Sequence, residues 1–201
     1  MNSVHVHDRL HTIKAAYFDW FQSTSWIVKV GLSVAMAFVT GVAAQVRIPL
    51  WFTPVPITAQ VLTVLLAGVL LGSFYGGTSM MLYLLFGYAG IPWFTNATTG
   101  LPLGPTSGYL IGFIPAAFVI GYMLRSRSTR SLLTLIFVMI GAVGIIYLFG
   151  SIHFALFMNT GIKNTLIMTV LPFIPFDIGK ALLAALCARA VLPSEHHNSS
   201  A

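Results

Sequence analysis

One stretch of this sequence, residues 48–124, contains no charged side chain at all. Over the whole chain 57% of residues are hydrophobic and 7% are charged, whereas a soluble domain carries about 25% charged residues. A water-facing surface cannot be built from so few charges, but a lipid-facing surface needs none. The sequence therefore predicts an integral membrane protein.

Helical membrane spans require about 20 consecutive, mostly apolar residues. Six segments come close to this requirement, at residues 26–46, 57–72, 74–90, 108–124, 131–151 and 165–191. The second segment is joined to the third only by Gly72-Ser73, with the Gly76-Gly77 pair nearby, which predicts a tight hairpin there. The expected fold is all-α, a polytopic membrane protein with six transmembrane helices.

Lysine and arginine positions predict the orientation, because short cytoplasmic loops carry an excess of both. With both termini in the cytoplasm, most basic residues lie inside and only Arg47 and Lys163 lie outside. We predict a cytoplasmic extension at residues 1–25, a transmembrane domain at residues 26–192 and a polar tail at residues 193–201. The net charge of +6 forms no basic patch with interleaved aromatics, which argues against nucleic acid as a partner.

Asp177 is the one acidic residue within a predicted span, and Lys180 is the one basic residue far from a span end. Their i,i+3 spacing places both side chains on one face of a helix. Charges at bilayer depth are costly and usually mark a ligand site or an ion pathway. Pro175 is expected to bend the helix just before the acid. The alternative interpretation is a salt bridge that only fixes helix packing.

The connection between spans three and four, residues 91–106, has no charge although it is rich in Pro, Gly and apolar residues. We hypothesise that it folds back over the bundle as a lid on a cavity, with a plain interfacial loop as the alternative. Other polar side chains in the outer parts of the spans and in this loop are further candidates for ligand contact: Gln60, Tyr83, Asn96, Thr106 and Tyr109.

Enzymatic motifs find little support in this chain. There is no HExxH, P-loop or GxGxxG motif, so the chain cannot hydrolyse ATP itself. Ser107 and His153 are weak candidates for an intramembrane enzyme, since proline stands at position 105 where such a protease has glycine. A stand-alone carrier of a small solute, coupled to protons through Asp177, is the other alternative. We expect no catalytic residue, metal or cofactor.

Span one carries small residues at helical spacing, in the pairs Gly31-xxx-Ala35 and Ala37-xxx-Gly41. Such pairs let another helix approach closely. That helix belongs either to this bundle or to a partner protein.

Four strings of the sequence resemble the BioY family. The string Pro54-Val-Pro-Ile-Thr-Ala-Gln60 and the apolar run after it are similar to that family's second span. The strings at residues 82–94 and 104–113 look like its next elements. The ending Pro172-Phe-Ile-Pro-Phe-Asp177-Ile-Gly-Lys180 resembles its last-span motif. The match covers residues 30–192 in the family's order.

BioY proteins are the biotin-binding substrate components of energy-coupling factor (ECF) vitamin transporters. The resemblance implies biotin uptake by a multi-pass protein of the cell membrane, without catalytic activity. It also implies partners, namely a coupling transmembrane subunit and ATPase subunits. Residues 26–192 would then form a six-helix biotin-binding domain.

Site residues follow from the resemblance one by one. It implies that Asp177 and Lys180 contact biotin, with Asn96 as the match to a ligand-binding asparagine of the loop. Some BioY proteins use an arginine near the pocket for the biotin carboxylate, whereas residues 48–124 of this chain contain none, so Lys180 or polar loop groups are expected to bind it instead. Trp93 and Phe94 are expected to cover the apolar ring and tail.

A docking face follows from the resemblance as well. The first span of the family carries a small-residue motif that faces the coupling subunit. Ala37 and Gly41 fit that motif and are the expected docking residues.

Overall fold

The structure is a computed structural model that describes residues 20–100, 104–125 and 131–192. Most of the predicted N-terminal extension, the tail from residue 193, and Arg127 and Arg130 fall outside the described residues. A helical turn at residues 20–23 precedes the first long helix.

The described chain is mostly helical. Its helices are α1 (Trp26–Gln45), α2 (Gln60–Tyr88), α3 (Ser107–Met123), α4 (Leu132–Met158), α5 (Ile162–Thr169) and α6 (Ile174–Val191). Two strands, β1 (Arg47–Leu50) and β2 (Thr53–Thr58), lie between α1 and α2, and a 3₁₀ helix at Thr95–Ala97 lies between α2 and α3.

The surface of the bundle is that of a membrane protein. By length and apolar composition alone, α1, α2 and α4 qualify as membrane spans among the described helices, and α5 with α6 can count as a fourth, bent span. Helix α3 is apolar but shorter. Large apolar side chains such as Phe38, Phe137 and Leu156 stay exposed on these helices, and lipid is the solvent that such a surface needs. The chain is therefore a multi-pass membrane protein.

Helix α2 is folded back on itself. Gly72 has φ +73° and ψ −172°, which interrupts the helix. A Cβ at Gly76 would lie 2.9 Å from the carbonyl oxygen of Ala67, so the two arms touch directly after the turn. Farther from the turn, Gln60 on the first arm donates a hydrogen bond to Tyr83 on the second, at 2.8 Å. The predicted hairpin is present, because glycine adopts a positive φ without strain.

The segment between α1 and α2 is a two-stranded antiparallel hairpin, where the sequence predicted a loop followed by helix from residue 57. Its prolines cannot continue a helix. Alternate residues of β2 face inward, so that Val55 and Ile57 pack with Phe154 and Phe173. Helix α2 therefore begins only after this β-hairpin, and the all-α prediction is wrong for this segment.

The last predicted span is broken, since α5 and α6 meet at an angle of 52°. Pro172 has no N–H to donate to the Met168 carbonyl, which instead accepts from the Thr53 hydroxyl at 2.9 Å. The Thr169 carbonyl accepts from the Tyr109 hydroxyl at 2.7 Å. The sixth predicted span, residues 165–191, is therefore a bent pair of helices, and its break lies before the bend predicted at Pro175.

Pro175 was expected to bend the interior of this helix. It lies instead in the first turn of α6, where its missing N–H leaves no intrahelical bond unmade. Its role is to begin a helix, and the bend lies before it.

The two ends of the bundle differ. One end of the bundle we call the hairpin end, after the turn within α2 and not after the β-hairpin. There the Ser33 hydroxyl donates to the Tyr75 carbonyl just after the α2 turn. At the other, the loop end, Gln45 binds the backbone of residues 93–97. Lys29 and Arg125 lie towards the hairpin end, because Lys29 lies in the first turn of α1 and α3 ends against the α2 turn.

Substituting Gly121 should destabilise the bundle. A Cβ at this position of α3 would lie 2.1 Å from the Ser73 nitrogen and 2.2 Å from the Gly72 carbonyl carbon. We expect Gly121→Ala to cost about 1–3 kcal/mol of stability, because the methyl group meets backbone that cannot rotate away. The measurement is the melting temperature of the protein purified in detergent.

Gly141→Ala is the matched control, since this helical glycine of α4 has nothing within 4 Å of an added Cβ. It should keep or raise the melting temperature. Identical melting curves for the two variants would contradict the close packing of α3 on the α2 turn.

Candidate ligand-binding site

A cavity lies at the loop end, bounded by β2, the start of α2, α3, α4 and the start of α6; we call it the main cavity. Its empty volume, counted out to its open mouth and including open solvent there, is about 730 Å³. Most of its wall is apolar or aromatic, with a few polar groups. It is lined by Val55, Pro56, Thr58, Gln60, Val61, Phe94, Thr95, Thr98, Thr106, Tyr109, Leu110, Phe113, Ile146, Tyr147, Phe173, Asp177 and Lys180.

The charged part of the main cavity is the predicted ion pair. Lys180 Nζ lies 2.6 Å from Asp177 Oδ1, so the i,i+3 spacing does bring the two charges together. Asp177 is only 4% exposed and lies in the first turn of α6, where the helix dipole favours a negative charge. Its other oxygen, Oδ2, accepts a hydrogen bond from the Tyr147 hydroxyl at 2.7 Å. The buried carboxylate is therefore bonded at both oxygens.

Lys180 keeps donors for a ligand. An ammonium group has three N–H bonds, and within the described chain the bond to Asp177 uses one of them. A carboxylate also has more acceptor positions than the two bonds occupy. The pair can therefore donate to a carbonyl and accept from an N–H at the same place.

Tyr147 is a cavity residue that the sequence analysis missed. It belongs to α4 and meets Asp177 only through the packing of α4 on α6. It is the one tyrosine of an otherwise very apolar helix. A hydroxyl in such a helix needs a buried partner, and that signal could have identified it.

Predicted contact residues fall into two groups. Those that line the main cavity are Asp177, Lys180, Gln60, Thr106, Tyr109 and Phe94. Those that do not are Tyr83, Trp93 and Asn96.

Tyr83 and Trp93 bind each other behind the cavity wall. Trp93 Nε1 donates to the Tyr83 carbonyl at 2.9 Å, and the two rings lie 5.4 Å apart. Tyr83 is fully buried and accepts a hydrogen bond from Gln60, whose Oε1 in turn accepts from Thr58. Contrary to prediction, both aromatic side chains support the wall and do not face the main cavity.

The small residues predicted to dock a partner point into the bundle. Ala37 is fully buried, and a Cβ at Gly41 would lie 2.9 Å from Trp93 Cβ. Their small size makes room for Trp93, so neither residue is exposed for a partner helix to contact. The other small pair of α1, Gly31 and Ala35, is exposed.

The loop after α2 is fastened to α1 by Gln45. The Gln45 amide nitrogen donates to the carbonyls of Trp93 and Phe94, at 3.2 and 3.0 Å. Its amide oxygen accepts from the backbone N–H of Ala97 at 3.1 Å. Because other residues of this loop line the main cavity, the loop covers part of it, in agreement with the lid hypothesis. Residues 101–103 of the loop lie outside the described residues.

Asn96 occupies a turn position, with φ +70° in the 3₁₀ helix, a conformation that asparagine tolerates better than most residues. Its side chain lines a second cavity, which we call the side cavity. The side cavity is lined by Arg47, Pro49, Leu50, Thr53, Pro54, Pro56, Thr95, Asn96 and Thr106.

Ser107 and His153 do not form a nucleophile and base pair. The Ser107 hydroxyl donates to the Gly104 carbonyl at 2.8 Å, and His153 Nε2 lies 3.0 Å from the same oxygen. Both side chains therefore hold the backbone before α3. A Ser–His nucleophile would need a bond between them.

The sequence and structure match known proteins. A model of the BioY family matches residues 15–196. A biotin transporter BioY of Rhizobium etli is 35% identical over 179 residues, covering 85% of this chain and 94% of that protein. One of Thermotoga maritima is 35% identical over 164 residues, covering 81% and 92%.

One solved structure is also similar. It is the crystal structure at 2.1 Å of the S-component for biotin from an ECF-type ABC transporter, with a TM-score of 0.74 and 28% identity. The match covers 83% of this chain and 93% of that one.

These similar proteins are named as transporters, not as enzymes. The family match begins before α1 and extends past the end of α6, so it includes every element that contributes to the main cavity. The chain belongs to the BioY family.

Proposed function

We propose that this chain binds biotin in the main cavity and is the substrate-binding component of an ECF-type vitamin transporter. The names of its relatives and of the similar structure support this ligand. The observation that carries the site is the Asp177–Lys180 pair, held in a cavity whose wall is otherwise mostly apolar.

The chemistry of biotin suits this arrangement. Its ureido group has a carbonyl that accepts hydrogen bonds and N–H groups that donate them, which is the pattern that Lys180 and Asp177 complement. Its sulfur-containing ring and aliphatic chain are apolar. Phe94, Tyr109 and Phe113 offer aromatic surface for them.

We propose six spans, formed by α1, the two arms of α2, α3, α4, and α5 with α6. The basic residues support an orientation with the hairpin end in the cytoplasm. Lys29 and Arg125 lie towards that end, and the excess of lysine and arginine in short loops marks the cytoplasmic side. The main cavity then opens to the outside of the cell membrane, with residues 26–192 as the transmembrane domain.

Uptake also needs energy, and the chain has no nucleotide-binding motif. In our proposal ATPase subunits supply it through a coupling transmembrane subunit. The exposed Gly31 and Ala35 of α1 leave a face where another helix can come close.

The ion pair provides the first test of the biotin site. We expect Asp177→Asn and Lys180→Ala each to weaken biotin binding at least about tenfold, since each removes a charged hydrogen-bonding partner. The measurement is equilibrium binding of tritiated biotin to purified protein.

Lys163→Ala is the control for this test, because Lys163 is an exposed lysine outside both cavities. Unchanged affinity in both cavity variants would refute the site.

Uptake that collapses with the proton gradient but survives loss of the ATPase would instead support a stand-alone carrier.

Tyr147→Phe should weaken biotin binding without unfolding the protein. The change removes the hydroxyl that orients Asp177 and leaves the ring in place. A hydrogen bond to a charged group contributes about 1.5–3 kcal/mol to stability, and each ~1.4 kcal/mol lost from binding is a factor of ten. We therefore expect a loss of roughly tenfold or more in affinity, measured by the same assay. Tyr122→Phe, on an exposed tyrosine of α3, should have no effect, and equal affinities in the two variants would contradict the role of Tyr147.

Gln45→Ala should speed the release of biotin. It removes every bond between the Gln45 side chain and the loop that covers the main cavity, so the loop should open more often. The measurement is the dissociation rate of tritiated biotin after a chase with unlabelled biotin. Gln22→Ala, at the opposite end of the bundle, is the control, and a dissociation rate equal to that of the control would rule out Gln45 as the fastening of the loop.

A further inference from the structure

The main cavity and the side cavity are neighbours. Their linings share Pro56, Thr95 and Thr106. These shared residues form a boundary between the two spaces rather than a thick wall. The two cavities are therefore adjacent, with these three residues between them.

Arg47 lines the side cavity and lies close to the main one. In the β-hairpin it is paired with Thr58, and Thr58 lines the main cavity. Arg47 is exposed, and in the described chain it makes no ion pair. The one acidic residue at residues 20–100, 104–125 and 131–192 is Asp177, which Lys180 already binds.

The charges of the two cavities are therefore unequal. In the main cavity Asp177 and Lys180 compensate each other. The side cavity has the guanidinium group of Arg47 and no carboxylate. A guanidinium group matches a carboxylate with two parallel hydrogen bonds, and Asn96 and Thr106 in the same lining can add donors of their own.

We infer that Arg47 binds the carboxylate of the ligand, with the side cavity holding the end of its aliphatic chain. This inference rests on the proposed function, since biotin is a carboxylic acid with its polar ring at the opposite end of the molecule. When the ureido ring meets Asp177 and Lys180, the carboxylate points away from them. The side cavity is a place where it meets an uncompensated positive charge.

The test compares biotin with biotinamide, its neutral amide, on wild-type protein and on Arg47→Gln. We expect Arg47→Gln to weaken the binding of biotin about tenfold, as expected for the loss of a charge-assisted hydrogen bond, and to leave the binding of biotinamide unchanged. Arg47→Lys should restore part of the affinity for biotin, because it keeps the charge without the planar fork. Both ligands are measured by calorimetry on purified protein.

Lys163→Gln is the matched control, since it removes one positive charge outside both cavities, and it should change neither affinity. If wild-type protein binds neither ligand, the proposed function itself fails. If wild-type protein binds biotin and Arg47→Gln binds it equally well, the inference is overturned. An equal loss for biotin and biotinamide in Arg47→Gln also overturns it, because Arg47 would then support the fold and not the carboxylate.

Discussion

The break between α5 and α6 is the constraint on which the rest of the site depends. Unpaired carbonyls in a lipid environment cost several kcal/mol each, so the break requires donors from elsewhere. Thr53 of the β-hairpin and Tyr109 of α3 supply them, to Met168 and Thr169. These bonds bring the β-hairpin and α3 to the start of α6. The main cavity lies between the elements that the break has drawn together.

Features that depend on neighbours in the chain were predictable from the sequence. The ion pair follows from the i,i+3 spacing of Asp177 and Lys180, and the turn in α2 follows from the freedom of Gly72. The break in the last span was only half predicted. Pro175 indicated a bend in the span. The carbonyl that loses its helical partner is that of Met168, because Pro172 has no N–H to donate to it, and this carbonyl accepts from Thr53 instead.

Contacts between distant elements were not predictable from local patterns. Tyr147 meets Asp177 through the packing of two helices, and spacing within one helix carries no record of such a contact. Trp93 was expected to cover the apolar ring and tail of biotin, an expectation that followed from the family resemblance. Its cover is Gly41 and Tyr83, and burial alone does not reveal whether a side chain faces a ligand or the protein.

The ion pair in the main cavity also has an electrical consequence. Asp177 and Lys180 lie 2.6 Å apart with opposite charges, so together they add no net charge to the site. Carrying one elementary charge across a membrane takes about 2.3 kcal/mol per 100 mV, whereas carrying this pair as a unit takes almost no electrical work. The resting voltage of a cell therefore exerts almost no net force on these two residues, whichever side of the membrane they face.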